Sequence, residues 1–155
     1  MHDLVKLSRR ELEEMFLSAQ TPTMEEMNRT FDGSVLAGRL VLNTRLVRMF
    51  LNLGWFFWRG KTFETSGENE GRGINRFKIG PFRFLRYPCA TRITAPLVGP
   101  TDAFRLDYDV PENPWFVRRL KDDVRKIDNG LFLGSFNIRF SGKVRLIAYF
   151  LLQSA

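Results

Sequence analysis

The chain has 155 residues, a formal net charge of +7 and a single cysteine, Cys89. This length fits one domain, which we divide into a helical lead, residues 1–30, and a β-rich body, residues 31–155. One cysteine excludes an internal disulfide and is typical of a reducing compartment. The N-terminus lacks a signal-peptide pattern, and no apolar run approaches the roughly 20 residues that span a bilayer. We therefore expect a soluble, cytoplasmic protein.

The positive charge is concentrated in the middle of the chain. Residues 43–105 carry 11 basic and 4 acidic side chains, a sum of +7, whereas residues 1–42 sum to −2 and residues 106–155 to +2. Such an excess indicates either a solvated basic face or a site for an anion or polyanion. The 15 phenylalanines require a large core, a large pocket or both.

Local patterns predict the elements of the N-terminal third. Ser8 and Glu11 have capping-box spacing, and the apolar residues that follow repeat at helical intervals. Pro22 suits the first turn of a second helix. We predict helices at residues 8–19 and 22–29, a strand at about residues 34–42 and a helix at residues 43–53.

Strands dominate the rest of the chain. We predict them near residues 55–63, 74–79, 82–88, 91–95, 103–109, 131–140 and 144–152, with a break at Gly80-Pro81. One further helix is predicted from Pro114 to Asn129-Gly130, with Trp115, Leu120, Val124 and Ile127 as its apolar stripe. The count, about 7–9 mostly antiparallel strands with flanking short helices, predicts a mainly β (α+β) fold closed into a barrel. An eight-stranded barrel can hold one small ligand.

The residue types give little support for a metal or cofactor site. The single histidine is His2, near the terminus, and Cys89 stands alone, so we expect no metal site, no haem held by histidine and no cofactor. The glycines at 67, 71 and 73 match neither a phosphate loop nor a dinucleotide fingerprint. We interpret Ser66–Gly73 as a mobile hairpin loop.

Two surface-binding classes remain as alternatives. Aromatic residues beside arginine on strands are typical of proteins that bind single-stranded nucleic acid, but "WRGKTFET" lacks the RNA-recognition signature, which argues against nucleic acid as the partner. Phe50–Trp58, followed by Arg59 and Lys61, could insert rings beside anionic lipids, so peripheral membrane contact stays open.

One predicted strand carries both rings and cations. On a regular strand five residues share one face: Trp55, Phe57, Arg59, Lys61 and Phe63. If that face lines the barrel, its two cations need partners, and these could be Asp107 and Asp109 or Asp122 and Asp123. The alternative is that Arg59 and Lys61 face solvent while Phe56 and Trp58 pack inward. Because both faces of the strand carry apolar residues, the sequence does not decide which face points into the barrel.

A carboxylate inside such a pocket could have a raised pKa and act as an acid or base. The candidate pairs are Asp107 with Tyr108 and Asp122 with Arg125. Plain salt bridges are the alternative for both pairs, and no catalytic residue is assigned.

Several strings together resemble a known family: "WRGKTF" at 58–63, "GINRF" at 73–77, "FRLDYDVPENPWFVRRLKDDVRKIDNGLFLGSF" at 104–136 and "YFLL" at 149–152. They are similar to a family of small, largely uncharacterised bacterial and fungal proteins with a lipocalin-like (calycin-type) barrel. The resemblance implies an enclosed cavity, with five polar residues near it or its lid: Lys61, Asn75, Arg76, Asp122 and Arg125. Asp123 stands where the family has Glu, and haem-binding relatives use a histidine that this chain lacks.

The leading hypothesis is a lipocalin-like protein that binds a small hydrophobic or amphipathic ligand, with room for an anionic group on it. The predicted ligand-binding residues are Trp55, Phe57, Arg59, Lys61, Phe63, Asn75, Arg76, Tyr108, Asp122 and Arg125. The alternatives are a cofactor-free isomerase or cyclase that uses Asp107 or Asp122, and a surface binder for anionic lipid or nucleic acid.

Overall fold

Eight antiparallel strands form one closed barrel in the computed structural model, which describes residues 3–36 and 57–155. Each strand pairs with the next one along the chain, and the first pairs with the last. The strands are β1 (Thr30–Val35), β2 (Trp58–Gly67), β3 (Glu70–Ile79), β4 (Phe82–Thr94), β5 (Ala103–Asp107), β6 (Leu120–Asp128), β7 (Leu131–Phe140) and β8 (Lys143–Ser154). The predicted mainly β, antiparallel barrel is confirmed.

Two capped helices precede the barrel. Helix α1 (Arg9–Ser18) begins with the capping box that the sequence predicts: the Glu11 N–H donates to the Ser8 hydroxyl, and the Ser8 N–H donates to the Glu11 carboxylate. Helix α2 (Met24–Met27) is shorter than predicted because Thr23 caps it. The Thr21 hydroxyl instead donates to the carbonyl of Asp102 at 2.7 Å. A 3-10 turn, Leu4–Lys6, precedes α1.

The first strand differs from its predicted position. Strand β1 begins at Thr30, because residues 30–35 complete the hydrogen bonding of β2 on one side and β8 on the other. Residues 37–42 of the predicted strand, the predicted helix at residues 43–53 and Trp55 lie outside the described residues.

The predicted helix that begins at Pro114 is wrong. A 3-10 turn, Val117–Arg119, leads directly into β6, which pairs with β5 and β7. Leu120 and Val124 are four residues apart, and this spacing fits a helical stripe and one face of a strand equally well. Pairing with two neighbouring strands, which no local pattern reveals, decides in favour of the strand.

The predicted mobile loop Ser66–Gly73 is mostly strand. Strand β2 extends to Gly67 and β3 starts at Glu70, so two residues form the turn. The two strands predicted at 82–88 and 91–95 are one strand, β4, with a register shift in the middle. The predicted break at Gly80-Pro81 is confirmed as the β3–β4 turn.

The core has two layers. The interior of the barrel is filled largely by aromatic and branched side chains, among them Phe31, Phe63, Phe104, Phe132 and Phe150. Outside the barrel, Leu12 and Phe16 of α1 pack on Leu133, Tyr149 and Leu151 of β7 and β8. Strands β7 and β8 are therefore apolar on both faces.

The connections alternate between two ends of the barrel because every strand is antiparallel to its neighbours. At the lead end, where the chain enters β1, lie residues 68–69, 95–102 and 129–130. At the other end, which we name the tip end, lie residues 80–81, 108–119 and 141–142. Within the described residues, no helix combines the length and apolar character needed to cross a membrane.

Candidate functional site

Four polar side chains meet inside the barrel, among the rings of its core. Lys61 comes from β2, Asn75 from β3, Tyr108 from the residue after β5, and Asp122 from β6. Their exposed fractions are 5%, 7%, 2% and 0%. We name these four residues the polar cluster, and all four belong to the predicted ligand-binding set.

Lys61 is the centre of the polar cluster. Its Nζ donates to Asn75 Oδ1 at 2.7 Å and to the Tyr108 hydroxyl at 2.5 Å, and it lies 3.5 Å from Asp122 Oδ2. The Tyr108 hydroxyl donates to the same Asp122 oxygen at 3.4 Å. The predicted need for a carboxylate beside an inward cation is confirmed, and of the four candidates Asp122 is the one that meets it.

A bulge in β2 decides which side chains reach the interior. Trp58 pairs with Phe77 while Gly60 pairs with Arg76, so Arg59 is an extra residue in β2. The side chains of Trp58 and Lys61 therefore both point inward, and Arg59 is exposed. The prediction that Arg59 and Lys61 share a face is wrong, because it assumed a regular strand.

Backbone geometry fixes this bulge at Gly60. Its φ is +136°, and a Cβ there would lie 2.0 Å from the carbonyl oxygen of Phe31. Only glycine fits a strand conformation that brings two backbones so close. The glycine inside the apolar "FFWRGKTF" run is the signal that could have predicted the bulge.

A second irregularity lies on the other side of Asn75. Tyr87 has a φ of +58°, at the point where the β3–β4 register shifts. Its carbonyl accepts a hydrogen bond from Asn75 Nδ2 at 3.0 Å, while the Trp58 indole N–H donates to Asn75 Oδ1 at 3.0 Å. Asn75 is therefore held from both sides, and a left-handed non-glycine residue is a strain of the kind that concentrates at functional sites.

Aromatic rings surround the ammonium group of Lys61. Its Nζ lies 5.5 Å from the ring centre of Trp58, 5.2 Å from that of Tyr108 and 5.3 Å from that of Phe150. Ring faces attract a desolvated cation. Trp58 and Phe150, which also contact each other edge to face at 5.8 Å, are site residues that the sequence prediction missed.

Burial perturbs the acid–base properties of the polar cluster. Desolvation raises the pKa of Asp122 to about 7, although the nearby Lys61 opposes the shift. Desolvation also lowers the pKa of Lys61, against the pull of Asp122. The pKa of Tyr108 is raised well above its usual value by burial, and that of the buried thiol of Cys89 to about 12. Burial therefore disfavours the charged forms of both Lys61 and Asp122.

One oxygen of the polar cluster has no hydrogen-bond partner among the described residues. Asp122 Oδ2 is contacted by Lys61 and Tyr108, but Oδ1 is buried and unpaired. A buried polar atom without a partner costs roughly 1–3 kcal/mol, and native structures contain few of them. The inward-facing Oδ1 is therefore a vacant acceptor in the middle of the barrel.

Arg125 lies on the opposite face of β6 from Asp122. It is completely buried between the barrel and α1, and its guanidinium donates to the carbonyls of Phe16 at 2.9 Å, Val98 at 3.1 Å and Thr101. The predicted pair of Asp122 with Arg125 is wrong, because residues three apart on a strand point to opposite faces. Arg125 instead ties α1 and residues 95–102 to the barrel.

The other acidic candidates also face outward. Asp107 binds Lys121 at 2.9 Å, Asp109 binds Arg118 at 2.7 Å and Asp123 binds Arg105 at 2.5 Å. Burial alone would raise the pKa of Asp107, but the hydrogen bonds from Lys121 and from the N–H of Asp109 hold it below its usual value. Asp107 is thus a surface salt-bridge residue and does not pair with Tyr108.

Three further predicted residues are spread over the barrel wall. Phe63 packs inside against Phe31 and Phe104. Arg76 points outward and donates to the carbonyl of Phe31 at 3.1 Å and to Asp32 at 3.2 Å. Phe57, immediately before β2, is 37% exposed. Of the three, only Phe63 lines the same interior as the polar cluster.

Two surface clefts are formed by described residues. One, of about 550 Å³, lies between α1 and the turn that joins β6 to β7. The other, of about 450 Å³, is lined by Asp32, Arg59, Arg76, Lys78, Arg83 and three apolar side chains of β3 and β4. Neither cleft is lined by a member of the polar cluster. Residues 3–36 and 57–155 contain no group of three His, Cys, Asp or Glu side chains placed to hold a metal ion.

Comparisons with known proteins identify the fold and nothing more specific. No family model matches the sequence, and no curated protein matches it. The crystal structure of a protein from Thermomonospora curvata superposes with a TM-score of 0.55 at 16% identity, covering 96% of this chain and 88% of the other. At this identity the likeness shows a shared fold and carries no activity from one protein to the other.

Proposed function

We propose that the barrel binds a small amphipathic molecule at the polar cluster. The observation that carries the proposal is the unpaired Oδ1 of Asp122, which is fully buried and surrounded by rings. A ligand hydroxyl or N–H that donates to this oxygen would remove the cost of leaving it unpaired. Apolar walls with a few converging polar groups are typical of small-molecule sites.

The polar cluster favours a hydrogen-bond donor on the ligand over an anion. The ammonium group of Lys61 already has three acceptors nearby: Asn75, Tyr108 and Asp122. An anionic ligand would also place a second negative charge beside Asp122, whose ionised form burial already disfavours. A neutral alcohol or phenol therefore fits the polar cluster better than the anionic ligand group that the sequence analysis allowed.

The surroundings of the polar cluster limit the size of the ligand. The ammonium group of Lys61 contacts the rings of Trp58 and Phe150. The same continuous core includes Cys89, Phe104 and Phe136. Because these side chains fill the interior, the apolar body of the ligand can be no larger than a single ring or a short branched chain. The resemblance to the lipocalin-like family supports a binding role, and the buried thiol of Cys89 fits the cytoplasmic location expected from the sequence.

Binding of three matched probes tests the proposal: phenol, toluene and benzoate. Phenol offers a donor, toluene has the same ring without one, and benzoate is an anion. We expect phenol to bind about tenfold or more tightly than toluene, because leaving a buried acceptor unpaired costs roughly 1–3 kcal/mol and only phenol can donate to it. Benzoate should bind more weakly than phenol. Chemical-shift titration of the full chain measures all three affinities.

A substitution locates the site. Asp122→Leu removes the acceptor and keeps similar volume, so we expect phenol and toluene to bind this variant equally. Asp128→Leu removes an exposed carboxylate from the end of the same strand and should leave the preference for phenol intact. Absence of binding by every probe, or a preference for phenol that survives Asp122→Leu, would show that the polar cluster is purely structural.

A second candidate function is cofactor-free isomerisation of an enolisable carbonyl compound. It is favoured by the pKa of Asp122, about 7, because such a carboxyl can take and return a proton near neutral pH. Asp122 would remove a proton from the carbon next to the carbonyl and return it to another carbon, while the positive charge of Lys61 stabilises the enolate that forms in between. Deuterium incorporation into a small cyclic ketone, absent with Asp122→Asn, would support this candidate.

A further inference from the structure

The tip end of the barrel exposes large apolar side chains at three separate connections. Phe82, at the β3–β4 turn, is 73% exposed, Trp115, in the β5–β6 connection, is 66% exposed, and Phe140, at the β7–β8 turn, is 58% exposed. Ile79 and Val144 are also exposed beside these turns. These side chains are not part of the core, and clustered exposed apolar side chains on one end of a protein usually mark an interaction surface.

Cations flank the β3–β4 and β7–β8 turns, and acids do not. Residues 78–86 and 138–145 contain no acidic residue and six basic ones: Lys78, Arg83, Arg86, Arg139, Lys143 and Arg145. Lys78 and Arg83 are direct partners in the β3–β4 register. Like charges opposite each other destabilise a strand pair, so this arrangement calls for an anion from outside the barrel.

The three connections lie at the same end of the barrel, and we name their exposed side chains together the tip surface. The guanidinium of Arg119 lies over the ring of Trp115 at 5.6 Å and over that of Phe140 at 5.7 Å, so the second and third connections are in contact through it. In the β5–β6 connection, Asp109 is neutralised by Arg118 and Glu112 by Arg72. The acids of this connection therefore do not cancel the six flanking cations.

The lead end carries exposed charges of both signs. Its acids include Glu68, Glu70, Asp102 and Asp128, and exposed arginines at positions 29, 72 and 92 lie at the same end. The β3–β4 and β7–β8 turns of the tip end, in contrast, carry cations alone. A uniformly anionic surface would therefore attract the tip end more strongly than the lead end.

We propose that the tip surface docks on an anionic lipid bilayer. The rings of Phe82, Trp115 and Phe140 enter the interface between headgroups and acyl chains, and the flanking cations contact the headgroups. Each cation near such a surface contributes about 1 kcal/mol, and buried rings add the apolar contribution. This inference is independent of any ligand inside the barrel.

Two other occupants fit the same surface less well. Single-stranded nucleic acid is bound by rings that stack on bases within a groove, whereas these rings stand at turns beside the aliphatic Ile79 and Val144. The segment of this chain that joins β1 to β2, residues 37–56, contains three arginines and no acid. It would add to the positive charge of the tip surface instead of neutralising it.

Vesicle flotation with the full chain tests the proposal. We expect binding to phosphatidylcholine vesicles that contain about 30% phosphatidylglycerol, and at least tenfold weaker binding to pure phosphatidylcholine. Raising the salt from about 0.1 M to about 0.5 M should weaken binding several-fold, because it screens the headgroup charges. Equal binding to both kinds of vesicle, or to neither, would overturn the proposal.

Two pairs of matched variants locate the surface. Phe82→Ser/Phe140→Ser should reduce binding at least tenfold, whereas Val5→Ser/Val98→Ser, which removes two exposed apolar side chains away from the tip end, should not. Arg83→Gln/Lys143→Gln should reduce binding and its salt dependence, whereas Arg9→Gln/Arg10→Gln on α1 should not. Unchanged thermal unfolding shows that each variant is folded.

The remaining outcomes also decide between occupants. If a control variant weakens binding as much as the tip-surface variant with which it is matched, the contact is not at the tip surface and the proposal is wrong. If a single-stranded oligonucleotide binds tightly, and the vesicles do not bind, the surface belongs to nucleic acid. If a peptide of residues 37–56 protects Phe82 and Phe140 and blocks vesicle binding, this segment is the occupant.

Discussion

Lys61 Nζ and Asp122 Oδ2 lie 3.5 Å apart inside the barrel, where both side chains are almost completely buried. The two residues are 61 positions apart in the chain and come from β2 and β6, which are not neighbours in the barrel. Their contact spans the interior instead of running along the wall. Because each charge is desolvated, the state of one determines the state of the other.

The stability of the protein should depend on pH through Asp122. The folded state holds the Asp122 proton up to about pH 7, whereas the unfolded chain releases it near pH 4. Between these values the folded state binds more protons, so stability falls as the pH rises. The stabilisation that the raised pKa of Asp122 contributes is present in full below about pH 4 and is lost as the pH rises through about 7.

Asp122→Asn, which resembles the neutral acid, should remove this dependence. The free energy of unfolding of the wild type minus that of the variant should fall by up to about 4 kcal/mol between pH 4 and pH 7.5, measured by urea unfolding. Asp128→Asn, in an exposed position, serves as the control. A difference that rises with pH would mean that Asp122 is a normal, ionised partner of Lys61.

Removing one member of the buried pair should cost more than removing both. Lys61→Met leaves Asp122 without a cation and should lower the free energy of unfolding by about 3–5 kcal/mol at pH 7.5. Lys61→Met/Asp122→Leu should recover most of this loss, because apolar residues of similar volume replace a desolvated pair at little cost. Additive losses in the double variant, measured in urea, would show that the two side chains act independently.

The bulge at Gly60 should be intolerant of any side chain. Gly60 and Gly142 both have positive φ, +136° and +76°, but a Cβ at Gly60 meets the Phe31 carbonyl oxygen at 2.0 Å whereas one at Gly142 meets nothing within 4 Å. Gly142→Ala should cost about 1 kcal/mol from backbone strain alone. Gly60→Ala should cost at least about 2 kcal/mol more, because two backbones must separate. Similar melting temperatures for the two variants would contradict this.

Arg125 should hold residues 95–102 against the barrel. Arg125→Met leaves the carbonyls of Phe16, Val98 and Thr101 without their donor, at about 1–3 kcal/mol each where no water reaches them. We expect faster amide hydrogen exchange in residues 95–102, with the Leu97 N–H, which binds Asp123, as the most sensitive probe. Arg92→Met, at an exposed position on β4, is the control and should not change exchange there.

Local signals in the sequence were sufficient for some elements of the fold. The capping box of Ser8 and Glu11 marks the start of α1, and the Gly80-Pro81 break marks a turn, because both depend on residues within one turn of each other. The strand count also predicted the closed barrel. These features needed no knowledge of which strands are neighbours.

Other features depended on contacts between distant residues. The stripe of Leu120 and Val124 is compatible with a helix or a strand, and only the pairing with β5 and β7 selects the strand. The sequence proposed four carboxylates as partners for an inward cation, but the choice of Asp122 depends on the register of β6. The inward positions of Trp58 and Lys61 depend on the bulge at Gly60, which a regular alternation hides.

Strand β6 also has a consequence for how the barrel can close. The side chains of Leu120, Asp122 and Val124 point into the barrel. Those of Asp123 and Arg125 point outward, where Asp123 binds Arg105 and Arg125 binds the carbonyl of Phe16. A slip of one residue would place Asp123 and Arg125 in the apolar interior and expose Val124. The buried charges of Asp122, Asp123 and Arg125 therefore fix the register of β6, because the observed alignment brings all three side chains to their partners.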